Sequence, residues 1–310
     1  MRTSGITAKC FRLCLAVSIL FGAATTSQAA WTTIHNDFFQ IDQNGNPVYT
    51  RSGCLRKFSN TYYWYGSANN FSDQTCYSST DLMHWTYNGV AIVAGNTNRM
   101  DVIYNDSTKQ YVMYLKTQNG TNCDLGIATS STPAGPFTLK GDYKVFGYQI
   151  GDMSVYQDFD KKAYLCYVWD SVPGANSGGV SEHGFGLLSP DYLSLSQREM
   201  LWHRGSREAP MMMKRHGIYY YLTSRTLWTT STETIYYTAT AIAGPWTNNL
   251  LDTMICPGNT AKNSWDTQCD FIFVFPGTQD TTYMYCGDRW IKPDELRQGD
   301  YAWLPITFSP

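Results

Sequence analysis

A carboxylate placed directly ahead of an apolar strand is costly to bury unless a partner or a chemical task holds it there. Two acids stand out in this way: Glu208 in Ser206-Arg207-Glu208-Ala209-Pro210, and Asp152 in Gln149-Ile150-Gly151-Asp152-Met153. A carboxyl that keeps its proton near neutral pH can hand it to the leaving oxygen of a glycosidic bond, while a second group activates water or attacks directly. Glu208 is the candidate acid. Asp152 is the neighbour whose like charge would lift the Glu208 pKa toward working pH. The competing reading is purely structural, with Glu208 paired to Arg207 or another arginine at a junction between elements.

These acids belong to segments that lead into copies of one unit. A short apolar strand, a turn of Asn, Asp, Gly or Lys, and a Tyr-rich strand recur along the chain. The copies are Leu55 to Gly66, Val102 to Tyr114, Ser154 to Tyr167, Met211 to Leu222 and Phe271 to Cys286. Further strands and polar turns follow several of them, as in Ala134-Gly135-Pro136-Phe137 and Ala243-Gly244-Pro245-Trp246. A three- to four-stranded unit repeated at roughly 50-residue spacing predicts an all-β, five-bladed β-propeller. A β-sandwich is the alternative, and no long stretch carries a helical period. In a propeller the first strand of each blade lines the central channel, so the lead-in segments converge on one mouth. The other three are Tyr49 to Gly53, Thr97 to Asp101 and Trp265 to Cys269.

Composition narrows the ligand. Arg2, Lys9 and Arg12 precede an apolar run from Leu13 to Ala24, and small residues follow at Ser27, Ala29 and Ala30. Residues 1–30 therefore read as a secretory signal peptide, and residues 31–310 as a single extracellular propeller domain. The apolar run is shorter than the ~20 residues that cross a bilayer. A net charge of -2 argues against nucleic acid, whereas 23 Tyr, 14 Phe and 10 Trp suit a sugar stacked on rings. Seven cysteines lie beyond the signal, and Cys54 with Cys76 or Cys256 with Cys269 are the bridges their positions suggest. No CxxC pair or His spacing indicates a metal site, and no cofactor is expected. The run Met211-Met212-Met213 reads as strand packing. Trp265 is expected either to stack on a sugar or to fill space between blades. Arg289 is expected either to pair with Asp288 or to bind substrate.

Several stretches carry a resemblance. Tyr62-Tyr63-Trp64-Tyr65-Gly66, Val102-Ile103-Tyr104-Asn105, Gly151-Asp152-Met153-Ser154, Arg207-Glu208-Ala209-Pro210, Tyr285-Cys286-Gly287-Asp288-Arg289-Trp290 and Trp303-Leu304-Pro305 resemble glycoside hydrolase family 43. Within it they are most similar to the exo-acting galactan 1,3-β-galactosidases. The resemblance implies that Glu208 is the general acid and that Asp152 tunes and orients it. Most of the wider family uses an Asp in blade one as base, whereas this chain has Tyr49, Thr50 and Arg51 there. The galactanase branch is thought to use a blade-five Gln, matched by Gln268. An amide in that place would orient water, act as its imidic tautomer, or only hold substrate. The chain departs from the branch at Ser67 and Asn98, where acids are expected to hold the terminal sugar.

The implied activity is release of galactose from β-1,3-galactan with inversion, by a monomer acting on polysaccharide or oligosaccharide. A non-catalytic carbohydrate-binding propeller and an arabinosidase or xylosidase are the alternatives.

Overall fold

The computed structural model describes residue 36 and the segments 40–68, 72–95, 97–119, 122–169, 182–203, 207–227, 230–247, 254, 263–277, 280–290 and 301–308. The expected signal peptide, Ser206 and Cys256 lie outside the described residues. Every described regular element is a β-strand, and the strands form five sheets. Blade one contains β1 (Arg51–Phe58), β2 (Thr61–Ser67), β3 (Asp73–Ser79) and β4 (Thr86–Val93). Blade two contains β5 (Thr97–Asn105), β6 (Gln110–Asn119), β7 (Asn122–Ser130) and β8 (Thr138–Tyr143). Blade three contains β9 (Met153–Gln157), β10 (Ala163–Trp169), β11 (Glu182–Leu188) and β12 (Leu195–His203). Blade four contains β13 (Arg207–Arg215), β14 (Ile218–Arg225) and β15 (Ile235–Ala239). Blade five contains β16 (Gln268–Pro276), β17 (Thr281–Asp288) and β18 (Tyr301–Ile306). Each sheet is an antiparallel meander in chain order, and the architecture is the five-bladed propeller that the repeats predict.

The turns follow from local chemistry. Between β13 and β14, His216 and Gly217 both adopt positive φ, as a two-residue hairpin turn that matches strand twist requires. Between β5 and β6, Asn105 Oδ1 accepts the amides of Ser107 and Thr108, each at 2.9 Å, and folds the chain back on itself.

Successive side chains of a strand point to opposite faces of its sheet, and here both faces meet a neighbouring blade. Cys54 packs with Met100 and Val102 of blade two, whereas Leu55 packs with Phe271 and Trp303 of blade five. Short apolar runs in the middle of inner strands follow from this, as Val102-Ile103 in β5 and Met211-Met212-Met213 in β13, because both faces are covered there. The ring closes where Trp64 and Trp85 of blade one meet Tyr301 and Trp303 of blade five, with the Trp64 and Trp303 ring centroids 4.7 Å apart. The three consecutive methionines, Met211, Met212 and Met213, are all buried, as strand packing predicts.

The register corrects the suggested Cys54–Cys76 disulfide, whereas the Cys256–Cys269 suggestion falls on Cys256, outside the described residues. Cys54 pairs with Tyr65 and Tyr65 with Cys76, so two interstrand steps of about 4.8 Å separate the two cysteines, beyond the roughly 7 Å that a bridge spans. Both thiols are free and buried. Cys269 is likewise free, its Sγ 3.0 Å from the Ala209 carbonyl oxygen of blade four.

Candidate active site

Four of the inner strands carry a register irregularity at the end that faces the mouth, between Arg51 and Cys54, Asn98 and Met100, Glu208 and Met211, and Cys269 and Phe271. In three of them a non-glycine residue takes left-handed backbone angles: Ser52 at φ 51°, Arg99 at φ 46° and Ala209 at φ 54°. Such bulges insert a residue and re-aim the side chains beside it. The chains also approach closely here. A Cβ on Gly53 would lie 1.8 Å from the Tyr65 carbonyl oxygen, so only glycine fits.

Arg99 is the hub of the resulting cluster, although only 4% of it is exposed. Its Nε lies 3.2 Å from Asp152 Oδ2 and its Nη1 3.0 Å from Asp270 Oδ1. Its Nη2 donates to Gln268 Oε1 at 2.6 Å. Gln268 Nε2 in turn donates to Glu208 Oε1 at 2.6 Å. Asp152 Oδ2 accepts the amide of Ala209 at 3.1 Å, and Asp152 Oδ1 lies 3.3 Å from Lys116 Nζ. Blades two to five thus deliver Arg99, Asp152, Glu208 and Gln268 to one place. Blade one supplies amides, with Gly53 N donating to Asp270 Oδ2 at 3.1 Å and Ser52 N to Asp288 Oδ2 at 2.6 Å.

The cluster separates its carboxyls by charge state. Burial, and then the like charge of Asp152, push the Glu208 carboxyl up to about 8, against the pull of Arg99 and Lys116. Burial works on Asp152 in the same sense, but Arg99, Lys116 and the Ala209 amide together hold it below the ordinary carboxylate value. Burial and then Asp288 raise Asp270 well above its usual value. Burial lifts Asp288 to about 6, opposed by the Ser52 amide, Arg99 and Arg51. A protonated carboxyl beside an ionised one is the arrangement that an acid catalyst needs. Arg207, one of the structural partners weighed for Glu208, is engaged elsewhere, its Nη1 3.4 Å from Glu233 Oε1.

The remaining candidates are placed differently. Asn98 faces Lys116 across the β5–β6 ladder, and its buried Oδ1 accepts no hydrogen bond. The Ser67 hydroxyl is buried between Gln74 Oε1 at 2.9 Å and the Thr97 carbonyl oxygen at 3.2 Å, where it ties blade one to blade two. Trp265 lines a cleft of about 720 Å³ between blades four and five, with Met213, Tyr220, Tyr236 and Phe308. The indole beside Gln268 is instead that of Trp290, whose Nε1 donates to Gln268 Oε1 at 2.8 Å. Arg289 donates through Nε to the Trp265 carbonyl oxygen at 3.1 Å and through Nη1 to that of Asn36, rather than pairing with Asp288.

Sequence reasoning missed Arg99, Lys116, Asp270 and Asp288. Arg99 stood within a recognised lead-in segment, and a cation there is what three buried acids need. The Asp288 signal was its place in the strand register, directly across from Gln268.

Comparison with known proteins places the chain among glycoside hydrolases. The chain is 27% identical over 271 residues to a β-D-galactofuranosidase, xynD, of Aspergillus niger, covering 78% of this chain and 75% of that one. Its structure is similar to that of an exo-β-1,3-galactanase from Clostridium thermocellum, with TM-score 0.78 and 27% identity over 89% of this chain. It is also similar to an exo-β-1,3-galactanase from Phanerochaete chrysosporium solved with galactose, with TM-score 0.75 and 26% identity over 88% of this chain. The match spans 63% and 64% of those two galactanase chains, less than two thirds of each. Residues 46–299 match the family described as Glycosyl hydrolases family 43, and the chain belongs to that family.

Proposed function

We propose that this protein is a secreted, exo-acting glycoside hydrolase that releases galactose from β-1,3-galactan with inversion, with Glu208 as the general acid. The observation that carries the proposal is the half-buried Glu208 carboxyl in the channel cluster, bonded to Gln268 at 2.6 Å and pushed up to about 8 by burial and then by Asp152. In the reaction Glu208 gives its proton to the leaving oxygen as the C1–O bond breaks. Water bonds to C1 from the opposite face, and the proton it loses returns to Glu208 by way of solvent. Asp152, anchored on the Ala209 amide, orients the acid and sustains its proton affinity. Galactan as substrate rests on the likeness to the two exo-β-1,3-galactanases, and secretion on residues 1–30.

The test is incubation with β-1,3-galactan, with NMR of the anomer first formed. Galactose released as the α-anomer fits inversion; a β-anomer contradicts it. The likeness to a β-D-galactofuranosidase supports a second reading, in which the terminal sugar is a galactofuranose. Turnover of an aryl β-D-galactofuranoside without turnover of β-1,3-galactan would select it.

A further inference from the structure

Glutamine carries a donor and an acceptor on one planar head, and neighbours with a single role fix which end faces where. Arg99 Nη2 at 2.6 Å and Trp290 Nε1 at 2.8 Å are obligate donors. The group between them must therefore be the Gln268 oxygen, which receives both N–H groups. The amide nitrogen is left to face Glu208 Oε1. That nitrogen has no basic lone pair. The imidic tautomer would place a hydrogen on the oxygen, where two donors already point.

We infer that Gln268 does not take a proton from the attacking water, but is a positioning residue that donates to Glu208 and stabilises the carboxylate left when the acid gives up its proton. This rests on the reading of Glu208 as the acid. Because Glu208 Oε1 accepts from Gln268, the transferable proton sits on Oε2. As the Oε2–H bond breaks and the leaving oxygen gains that hydrogen, the acceptor becomes ionised. A hydrogen bond to an ionised group is roughly twice as strong as a neutral one. The contact is thus stronger in the transition state than in the ground state, which is the condition for accelerating the chemical step. Arg99 and Trp290 act through Gln268 by holding its amide in this sense.

The groups that set the Glu208 proton affinity are Asp152 from blade three, Arg99 and Lys116 from blade two, the Leu227 amide from blade four and Gln268 from blade five. The experiment compares pH profiles of kcat/KM for the wild type, Gln268→Ala, Gln268→Glu and Glu208→Gln on β-1,3-galactobiose, with and without sodium azide. Loss of the donor should move the alkaline limb of Gln268→Ala upward by about one pH unit, the scale of a hydrogen bond to a charged group. Azide should not restore its rate. Gln268→Glu, which keeps the shape of the side chain, should lose at least tenfold in kcat and gain no new acidic limb, and it serves if Gln268→Ala fails to fold. Azide rescue of Gln268→Ala with formation of a glycosyl azide, or an active Gln268→Glu with a new limb near the ordinary carboxylate pKa, would overturn the inference. Undiminished activity of Glu208→Gln would instead overturn the reading of the acid on which it rests.

Discussion

Gln268 of blade five and Glu208 of blade four are in direct contact, with Nε2 of the amide 2.6 Å from Oε1 of the carboxyl. An acid and a water-activating group on opposite faces of a sugar ring stand well apart, with about 6.5–9.5 Å between carboxyls in inverting enzymes. If Glu208 is the acid, as proposed, the contact puts Gln268 on the acid's side of the ring. Asp152 completes that side through the Ala209 amide, the residue after Glu208.

The pH profile should report this arrangement. With Glu208 titrating at about 8, kcat/KM should hold through neutral pH and fall tenfold per unit above it. Asp152→Asn removes the like charge while leaving Arg99 and Lys116 in place, so the alkaline limb should move to lower pH. An unmoved limb in that variant would show that Asp152 does not act on Glu208.

Stability gives an independent readout of the same proton. The Glu208 pKa is raised in the folded state, so its contribution is fully present below about 4.5 and is lost as pH rises through about 8. Glu208→Gln cannot ionise and should escape that loss. Its Tm should match the wild type at pH 4 and exceed it by a few degrees at pH 9, as expected for about 1–2 kcal/mol in a domain of this size. A Tm difference that is the same at both pH values would contradict the shift.

Arg99 holds two acids that have few other cations near them. Arg99→Met strands Asp152 and Asp270, and breaking a buried ion pair from one side costs about 3–5 kcal/mol. The expected result is a Tm lower by roughly 10 °C. Adding Asp270→Asn should recover part of the loss, because the two residues share one network.

Much of the fold was legible because a propeller blade is a local unit. Each hairpin forms between neighbouring stretches, and the repeat of Tyr-rich strands was enough to count blades. The lead-in segments also located Glu208, Asp152 and Gln268 together. What escaped depends on register and on bulges. Cys54 and Cys76 are close in sequence yet two strands apart, so proximity along the chain misled. Trp265 precedes Gln268 by three residues, but Ser264, Trp265 and Asp266 all take positive φ and turn that stretch away, whereas Trp290 arrives from the end of the neighbouring strand. The acceptors of Arg99 come from blades three and five, so its role shows only once the blades are assembled.

The thiols offer a direct check on the register. Peptide mapping after alkylation of the unfolded, unreduced protein should find Cys54, Cys76, Cys166, Cys269 and Cys286 each as a labelled thiol. A peptide joined through Cys54 and Cys76 would contradict the β1–β2–β3 pairing.

Proton donation by Glu208 in hydrolysis of a terminal glycosidic bond is the step on which the proposed function turns. Release of galactose from β-1,3-galactan by wild type and by Glu208→Gln at pH 6 measures it most directly. Steady release by the wild type is expected, with a rate about 10²–10⁴-fold lower in a folded variant that still binds the sugar; equal rates in the two proteins would exclude Glu208 as the acid.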